Sequence, residues 1–287
     1  MKRSSRLSRR AFLYTALGLG GGLALSGPLG WLYATRIEPD WLQVERVRVS
    51  LPRLPQAFHR LTIAQFSDLH LGPFVEAKEV RAAVDATLGL EPDVIVVTGD
   101  FVSRLSHGEA EMIVEELSRL AAPEGVFAIL GNHDWWTNST VVSEAVQRAG
   151  LTLLRNANVG LSRKGETLYL AGVDDVWEEQ ADLPLALTGI PADAPAILLA
   201  HEPDYADTVT EEPRVLLQLS GHSHGGQVQI PFHGPLVLPY LGKKYPVGLR
   251  QVGNLWVYTN RGIGVIAPPV RFNCRPEVTL FTLLAEA

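Results

Sequence analysis

Five short stretches of this chain concentrate the residue types that bind hard divalent ions: Asp68-Leu69-His70, Gly99-Asp100, Gly131-Asn132-His133-Asp134, His201 and Gly221-His222-Ser223-His224. Imidazole nitrogen, carboxylate and amide oxygen suit manganese, iron and zinc, and no thiolate is required. Asp68, His70, Asp100, Asn132, His201, His222 and His224 together could serve two ions about 3.5–4 Å apart, with at least one ligand shared. An i, i+2 pair on a turn aims both side chains into one site, and glycines beside the motifs let the backbone turn sharply. Singly, each piece is ordinary. An Asp-x-His is usually a surface pair, a Gly-Asp a turn, and a lone histidine such as His201 a satisfied core residue. Collectively, five of the eight histidines fall into the five stretches, beside Asp68, Asp100 and Asn132, which chance explains poorly. His59, His107 and His233 fall outside it and take no role.

The elements that must position these residues follow from apolar runs. Residues 61–67, 93–98, 125–130, 196–200 and 215–219 are short apolar stretches, and each ends at one of the five motifs. Further strands are expected at 167–171, 255–259 and 278–283, and helices at 78–90, 110–120 and 139–149. Strands that are apolar throughout belong to a sheet covered on both faces. In such sheets ligands bind beyond the carboxyl ends of the strands, so five strands would deliver their polar residues to one rim.

These motifs resemble the calcineurin-like metallophosphoesterase superfamily over roughly residues 45–285. The resemblance implies an α/β (α+β) fold of four layers, two mixed β-sheets flanked by helices. It implies two divalent ions (manganese, iron or zinc), one held by Asp68, His70, Asp100 and His224. The other would be held by Asp100, Asn132, His201 and His222, with Asp100 bridging. The implied reaction is in-line displacement at phosphorus by a hydroxide shared between the ions, with catalytic roles for Asp100 and for His133 as acid to the leaving oxygen. One departure stands out. The family commonly carries an aspartate three residues after the bridging one, to orient the equivalent of His133; here the residue is Ser103, which leaves Asp134 or another carboxylate as a substitute.

Composition narrows the alternatives. Six of the 25 basic residues lie in residues 1–36, which hold no acid, so the rest sets 19 basic against 31 acidic groups, a net of −12. A body that acidic is no nucleic-acid binder. Cys274 is the single cysteine, so an internal disulfide is excluded. The chain has no His-Glu-x-x-His of a metallopeptidase. The reading is a phosphodiester or lipid-phosphate hydrolase; the alternative is a non-catalytic metal-binding envelope protein that keeps the fold. The substrate is expected to be a phosphate ester of amphiphilic or lipid character. Residues 228–247 motivate this, being rich in apolar side chains and broken by Pro231, Pro235, Pro239 and Pro246. Four prolines exclude a continuous helix or central strand, so the stretch reads as an apolar loop at the mouth of the site, with Lys243 and Lys244 facing anionic headgroups. The competing reading folds this loop back as part of the core.

The domains read as 1–36, a signal peptide or membrane anchor; 37–60, a linker and first edge strand; and 61–287, the catalytic domain. Residues 11–34 run 24 positions without a charge, about 36 Å as a helix, enough to cross a bilayer. Ser8-Arg9-Arg10-Ala11-Phe12-Leu13 resembles the twin-arginine address, which implies the twin-arginine translocase as partner and a place at the membrane or in the cell envelope. Ala24-Leu25-Ser26 offers a cleavage site. Replacing Arg9 and Arg10 together by lysine keeps the charge and removes the address. Fractionation of cells should then find the protein retained in the cytoplasm, and unchanged localisation would rule the twin-arginine route out.

Overall fold

The computed structural model describes residues 27–105 and 108–286. The twin-arginine motif and the 24–26 cleavage site lie outside them. Two six-stranded mixed sheets stack face to face. The first contains β1 (Gln43–Leu51), β2 (Thr62–Phe66), β3 (Val94–Thr98), β4 (Val126–Ile129), β5 (Thr152–Leu153) and β14 (Glu277–Ala285), in the order β1-β14-β2-β3-β4-β5. The second contains β6 (Ala157–Arg163), β7 (Glu166–Gly172), β8 (Ala196–Leu199), β9 (Val215–Ser220), β12 (Gly248–Val252) and β13 (Leu255–Thr259), in the order β12-β13-β9-β8-β7-β6. β2 to β5 are parallel, as are β7, β8, β9 and β13. A small hairpin, β10 (Gln229–Ile230) with β11 (Gly234–Pro235), stands apart.

The apolar strands explain the layering. Every residue of β3, Val-Ile-Val-Val-Thr, is buried. Val94 and Val96 face the second sheet, where they meet Ile197, Leu199, Leu217 and Leu219 in the core between the sheets. Ile95 and Val97 face the other way, onto α1 (Ala77–Leu88), α2 (Glu109–Leu117) and α3 (Asn132–Arg148). Each such side chain contributes about 1.5–3 kcal/mol by leaving water. The outer face of the second sheet is covered by residues 183–190 and 206–209, which completes four layers. Inside the sandwich Gln65 ties the sheets together: its amide nitrogen donates to Thr98 Oγ1 and to the Ser220 carbonyl, each at 3.0 Å.

The expected strands are present, as are the helices near 78–90 and 110–120. The third helix differs. It begins at Asn132, not near 139, and holds one non-helical residue, Asn138. The Asn138 side chain accepts from Val141 N at 3.1 Å and so restarts the helix after the break. Asn132 and His133 therefore sit on a first helical turn rather than on a loop.

The segment before β1 is integral to the fold. Residues 27–32 are helical and continue into a π-helical turn, Tyr33–Ile37. The Ala34 carbonyl accepts from Arg271 N at 2.8 Å. Glu38, fully buried, accepts from Asn273 N at 2.9 Å and from Cys274 N. No helix among the described residues is long and apolar enough to cross a membrane. Glu38→Ala would leave the N–H groups of Asn273 and Cys274 without this partner, the latter buried, so stability to urea should fall by about 1–3 kcal/mol. An unchanged midpoint would show that these bonds do not hold the segment.

Candidate metal centre

Each candidate ligand stands just past a strand end, as the apolar runs imply. Asp68 and His70 follow β2, Asp100 follows β3, Asn132 opens α3 after β4, His201 follows β8, and His222 and His224 follow β9. All seven are buried, and the structure brings them into one site. His70 Nε2 and His224 Nε2 are 2.9 Å apart, with Asp68 Oδ1 3.4 Å from the latter. Asn132 Oδ1 lies 3.0 Å from His222 Nδ1. Asp100 Oδ2 joins the two groups, 3.4 Å from His70 Nε2 and 3.2 Å from His201 Nε2.

The hydrogen bonds behind the site determine which nitrogen faces inward. His201 Nδ1 is 2.7 Å from the Thr98 carbonyl, and His222 Nε2 is 2.7 Å from the Tyr240 carbonyl. A carbonyl only accepts, so these nitrogens carry a proton, and when the rings are neutral the opposite ones present lone pairs. The lone pair of His222 Nδ1 then faces the Asn132 oxygen, and that of His201 Nε2 faces the Asp100 carboxylate. Two acceptors at such a distance repel unless a cation lies between them. Two nitrogens bound about 2.1 Å from one ion at a right angle would be about 3 Å apart, the spacing of His70 and His224. The donor set fits divalent metal.

The close quarters explain the glycines. A Cβ on Gly221 would overlap Ser67 Oγ and the Asp68 carboxylate, and one on Gly131 would overlap Asp100. Only glycine lets the strand ends approach this closely. Five of the seven ligands themselves have left-handed backbones: Asp68, His70, Asp100, His222 and His224, with φ between 51° and 69°.

The surroundings give Ser103 a partner and correct one expectation about His133. Ser103 Oγ lies 3.0 Å from His70 Nδ1, so it orients a candidate ligand. Asp134 does not substitute as an acid behind His133. It is buried and accepts from the backbone N–H groups of Asp100, Phe101, Val102 and Gly131, which fastens the loop after β3 to the start of α3. Burial, then Asp100, raises Asp134 to about 8. The His133 ring is held by rings: edge-on to His70 at 4.6 Å and tilted against Trp136 at 4.8 Å. The His133 backbone N–H donates to Asp100 Oδ1 at 2.8 Å.

Other residues belong to the site without having been picked out by motif. Trp136, Trp177 and Tyr240 form an aromatic rim, with Trp177 5.0 Å from Trp136, 5.4 Å from Tyr240 and 5.6 Å from His222. Beyond His133 and Trp136 opens a cleft of about 830 Å³, reaching Arg104, Leu105 and Val141. Behind His201, Asp175 and Glu202 are fully buried, and burial, then Glu202, raises Asp175 to about 9. Arg271 is buried as well and gives its guanidinium to the carbonyls of Arg261, Gly262, Gly264 and Cys274. Gly264 N in turn donates to Asp68 O at 2.7 Å, and Cys274 Sγ to His224 O at 3.1 Å. Trp177 was within reach of the strand-end rule, since it follows the run 167–171; Arg271 had no such sign.

Two mixed sheets that gather carboxylates, imidazoles and an amide at one rim, demanding cations between them, are the architecture of a metal-dependent phosphoesterase. Residues 61–226 match the calcineurin-like phosphoesterase family, and the chain belongs to that family. It is 36% identical over 281 residues to an uncharacterised metallophosphoesterase, YkuE, of Bacillus subtilis, covering 97% of this chain and 98% of that one. It is 32% identical to the phosphodiesterase YaeI of Escherichia coli, covering 97% and 100%. It is 29% identical to the UDP-2,3-diacylglucosamine pyrophosphatase LpxG of Chlamydia trachomatis, covering 96% and 100%. The chain is a metallophosphoesterase, a hydrolase of phosphate esters.

Protonation gives the site a testable signature. Burial, the largest influence, pushes His201 down, but Asp100 and Asp68 outweigh it and hold the ring well above its ordinary value. Burial, with Asp100, pushes Asp68 up to about 7 against the pull of His201. Burial also favours a protonated Asp100, yet His201, His133 and His70 hold it well below the carboxylate range. The metal-free site thus carries protons at neutral pH that a dication must displace. Groups with raised values are protonated below those values, so affinity should rise with pH through the neutral range. Adding manganese to the metal-free protein in weak buffer should release protons; binding without release, at constant affinity between pH 6 and 8 (roughly one unit either side of neutral), would contradict this.

Proposed function

We propose that the chain binds two divalent ions and hydrolyses a phosphodiester or lipid-phosphate ester outside the cytoplasmic membrane, after export by the twin-arginine route. The observation that carries the two-ion reading is Asp100 Oδ2, shared between His70 on one side and His201 on the other. Asp68, His70, Asp100 and His224 would hold one ion, and Asp100, Asn132, His201 and His222 the other, with manganese, iron or zinc all suited to these ligands. When bound, the pair supplies Lewis acidity to the phosphoryl oxygens and lowers the pKa of water.

The chain's own residues do the rest. Thr98 and Tyr240 carbonyls hold His201 and His222 in the required tautomers. His133 stands half-buried between the ligands and the cleft, placed to give a proton to the leaving oxygen. Trp136 and Trp177 exclude water on the same side and offer flat apolar surface to the leaving group. Two named relatives support the substrate class: one is a phosphodiesterase, the other cleaves a diacylated sugar nucleotide.

Metal stoichiometry and turnover of bis-p-nitrophenyl phosphate test the proposal together. Asp100→Asn should weaken both ions and abolish turnover. His133→Ala should keep both ions while kcat falls about 10²–10⁴-fold, the usual range for a positioned acid. Saturation at one ion per chain, or metal loss in His133→Ala, would overturn the assignment.

A further inference from the structure

The exposed large apolar side chains gather on one face. Among the described residues there are fourteen, and twelve of them lie in the N-terminal segment, at Phe74, at Phe272 or around the β10–β11 hairpin. Only Trp136 and Leu185 lie elsewhere. Phe272 is the seam. Its ring packs edge-on to Tyr33 at 6.3 Å, its neighbour Arg271 donates to Ala34 O, and its carbonyl accepts from Gln229 N at 2.9 Å. Trp31 and Phe74 line one shared depression. On the hairpin Phe232 is entirely exposed and Val237 is 76% exposed. The loop thus divides between the two expectations. Leu238 is half-buried beside Gly226, while Phe232 and Val237 stand out into solvent.

We infer that this face seats on a lipid bilayer, with the β10–β11 hairpin immersed in it. Three observations favour lipid over a protein partner. The uncharged run of residues 11–34 enters the described structure at residue 27 on this very face. The polar-tipped aromatics Trp31, Trp41 and Tyr240 rim the patch, the residues that prefer a membrane–water boundary. Cations border it: Arg36 is exposed, and Arg275 stacks over Trp41 at 3.4 Å. Anionic headgroups meet such cations at about 1 kcal/mol each. Lys243 adds to the border, whereas Lys244 does not, because its ammonium is paired with Asp207.

The contact bears on the metal centre. Tyr240, at the base of the hairpin, supplies the carbonyl that orients His222, and its ring packs on Trp177. A seated hairpin would bring the mouth of the site to headgroup depth, where a lipid phosphate could enter without leaving the bilayer. That catalytic consequence rests on the proposed lipid-phosphate reading; the docking itself does not.

The test uses the full chain in vesicles of phosphatidylethanolamine and phosphatidylglycerol. An environment-sensitive fluorophore is attached at Val237→Cys or, for reference, at Leu185→Cys; the native Cys274 is buried. Lipids carrying a doxyl quencher should quench the label at 237 and spare that at 185. A label at 237 untouched by the quencher overturns the inference. Transfer between labels on separate chains would then assign the face to a second copy, and a shielded but unquenched label to the chain's own residues 1–26. In parallel, Phe232→Ser with Val237→Ser should cut turnover of a vesicle-borne diacyl p-nitrophenyl phosphodiester by about tenfold and spare soluble bis-p-nitrophenyl phosphate. Equal turnover of both substrates by parent and variant would count against docking. If the parent cleaves neither, the functional reading fails, while the quenching result still decides the docking.

Discussion

Two carboxylates buried beside one another impose the constraint on which the rest of the structure depends. Asp68 and Asp100 are at most 1% exposed, and an unpaired buried carboxylate costs several kcal/mol. Backbone N–H groups meet part of that cost, from His222 to Asp68 and from His133 to Asp100. Histidines and the cations they bind meet the remainder. Strain is part of the arrangement, since a left-handed backbone costs a non-glycine residue about 1–2 kcal/mol, and five ligands adopt it. It persists because the strand ends, the close-packed glycines and the Arg271 clasp leave these residues no other conformation. The protein's own packing and hydrogen bonds therefore contribute to the geometry of the site.

The ligands were legible because they obey a rule about position. Apolar runs revealed the strands, and polar residues directly after a run could only lie on the rim where the strands end. Trp177 and Asp175 obey the same rule less visibly, since tryptophan and aspartate are common in ordinary loops. The partner of Ser103 was not legible, because a family position says which residue stands there, not how far it reaches. A serine is one carbon shorter than an aspartate, and its hydroxyl finds His70. The early start of α3 was hidden because Gly-Asn-His-Asp looks like a turn until Asp134 is seen binding the Gly131 N–H as a helix cap. Arg271 was beyond reach: nothing in Val-Arg-Phe-Asn says that a guanidinium will be buried against four carbonyls.

The N-terminal stretch shows the limit of composition as a guide. Three prolines and mixed polarity made 37–60 look like a linker followed by an edge strand. β1 does lie at the edge of its sheet, but Ala34 and Glu38 ahead of it are stitched to residues 271–274. That same segment supports Asp68 through Gly264 and His224 through Cys274. The segment ahead of β1 is thus only a few hydrogen bonds from the candidate metal ligands.

The order of strands in the first sheet governs how the molecule can be made. β14, the last strand in the chain, lies between β1 and β2, the first two. The sheet that carries Asp68, His70, Asp100 and Asn132 therefore stays split until residues 277–285 have been synthesised. Contacts that span nearly the whole chain form late and slowly. No fragment that lacks residues 277–285 holds a finished sheet.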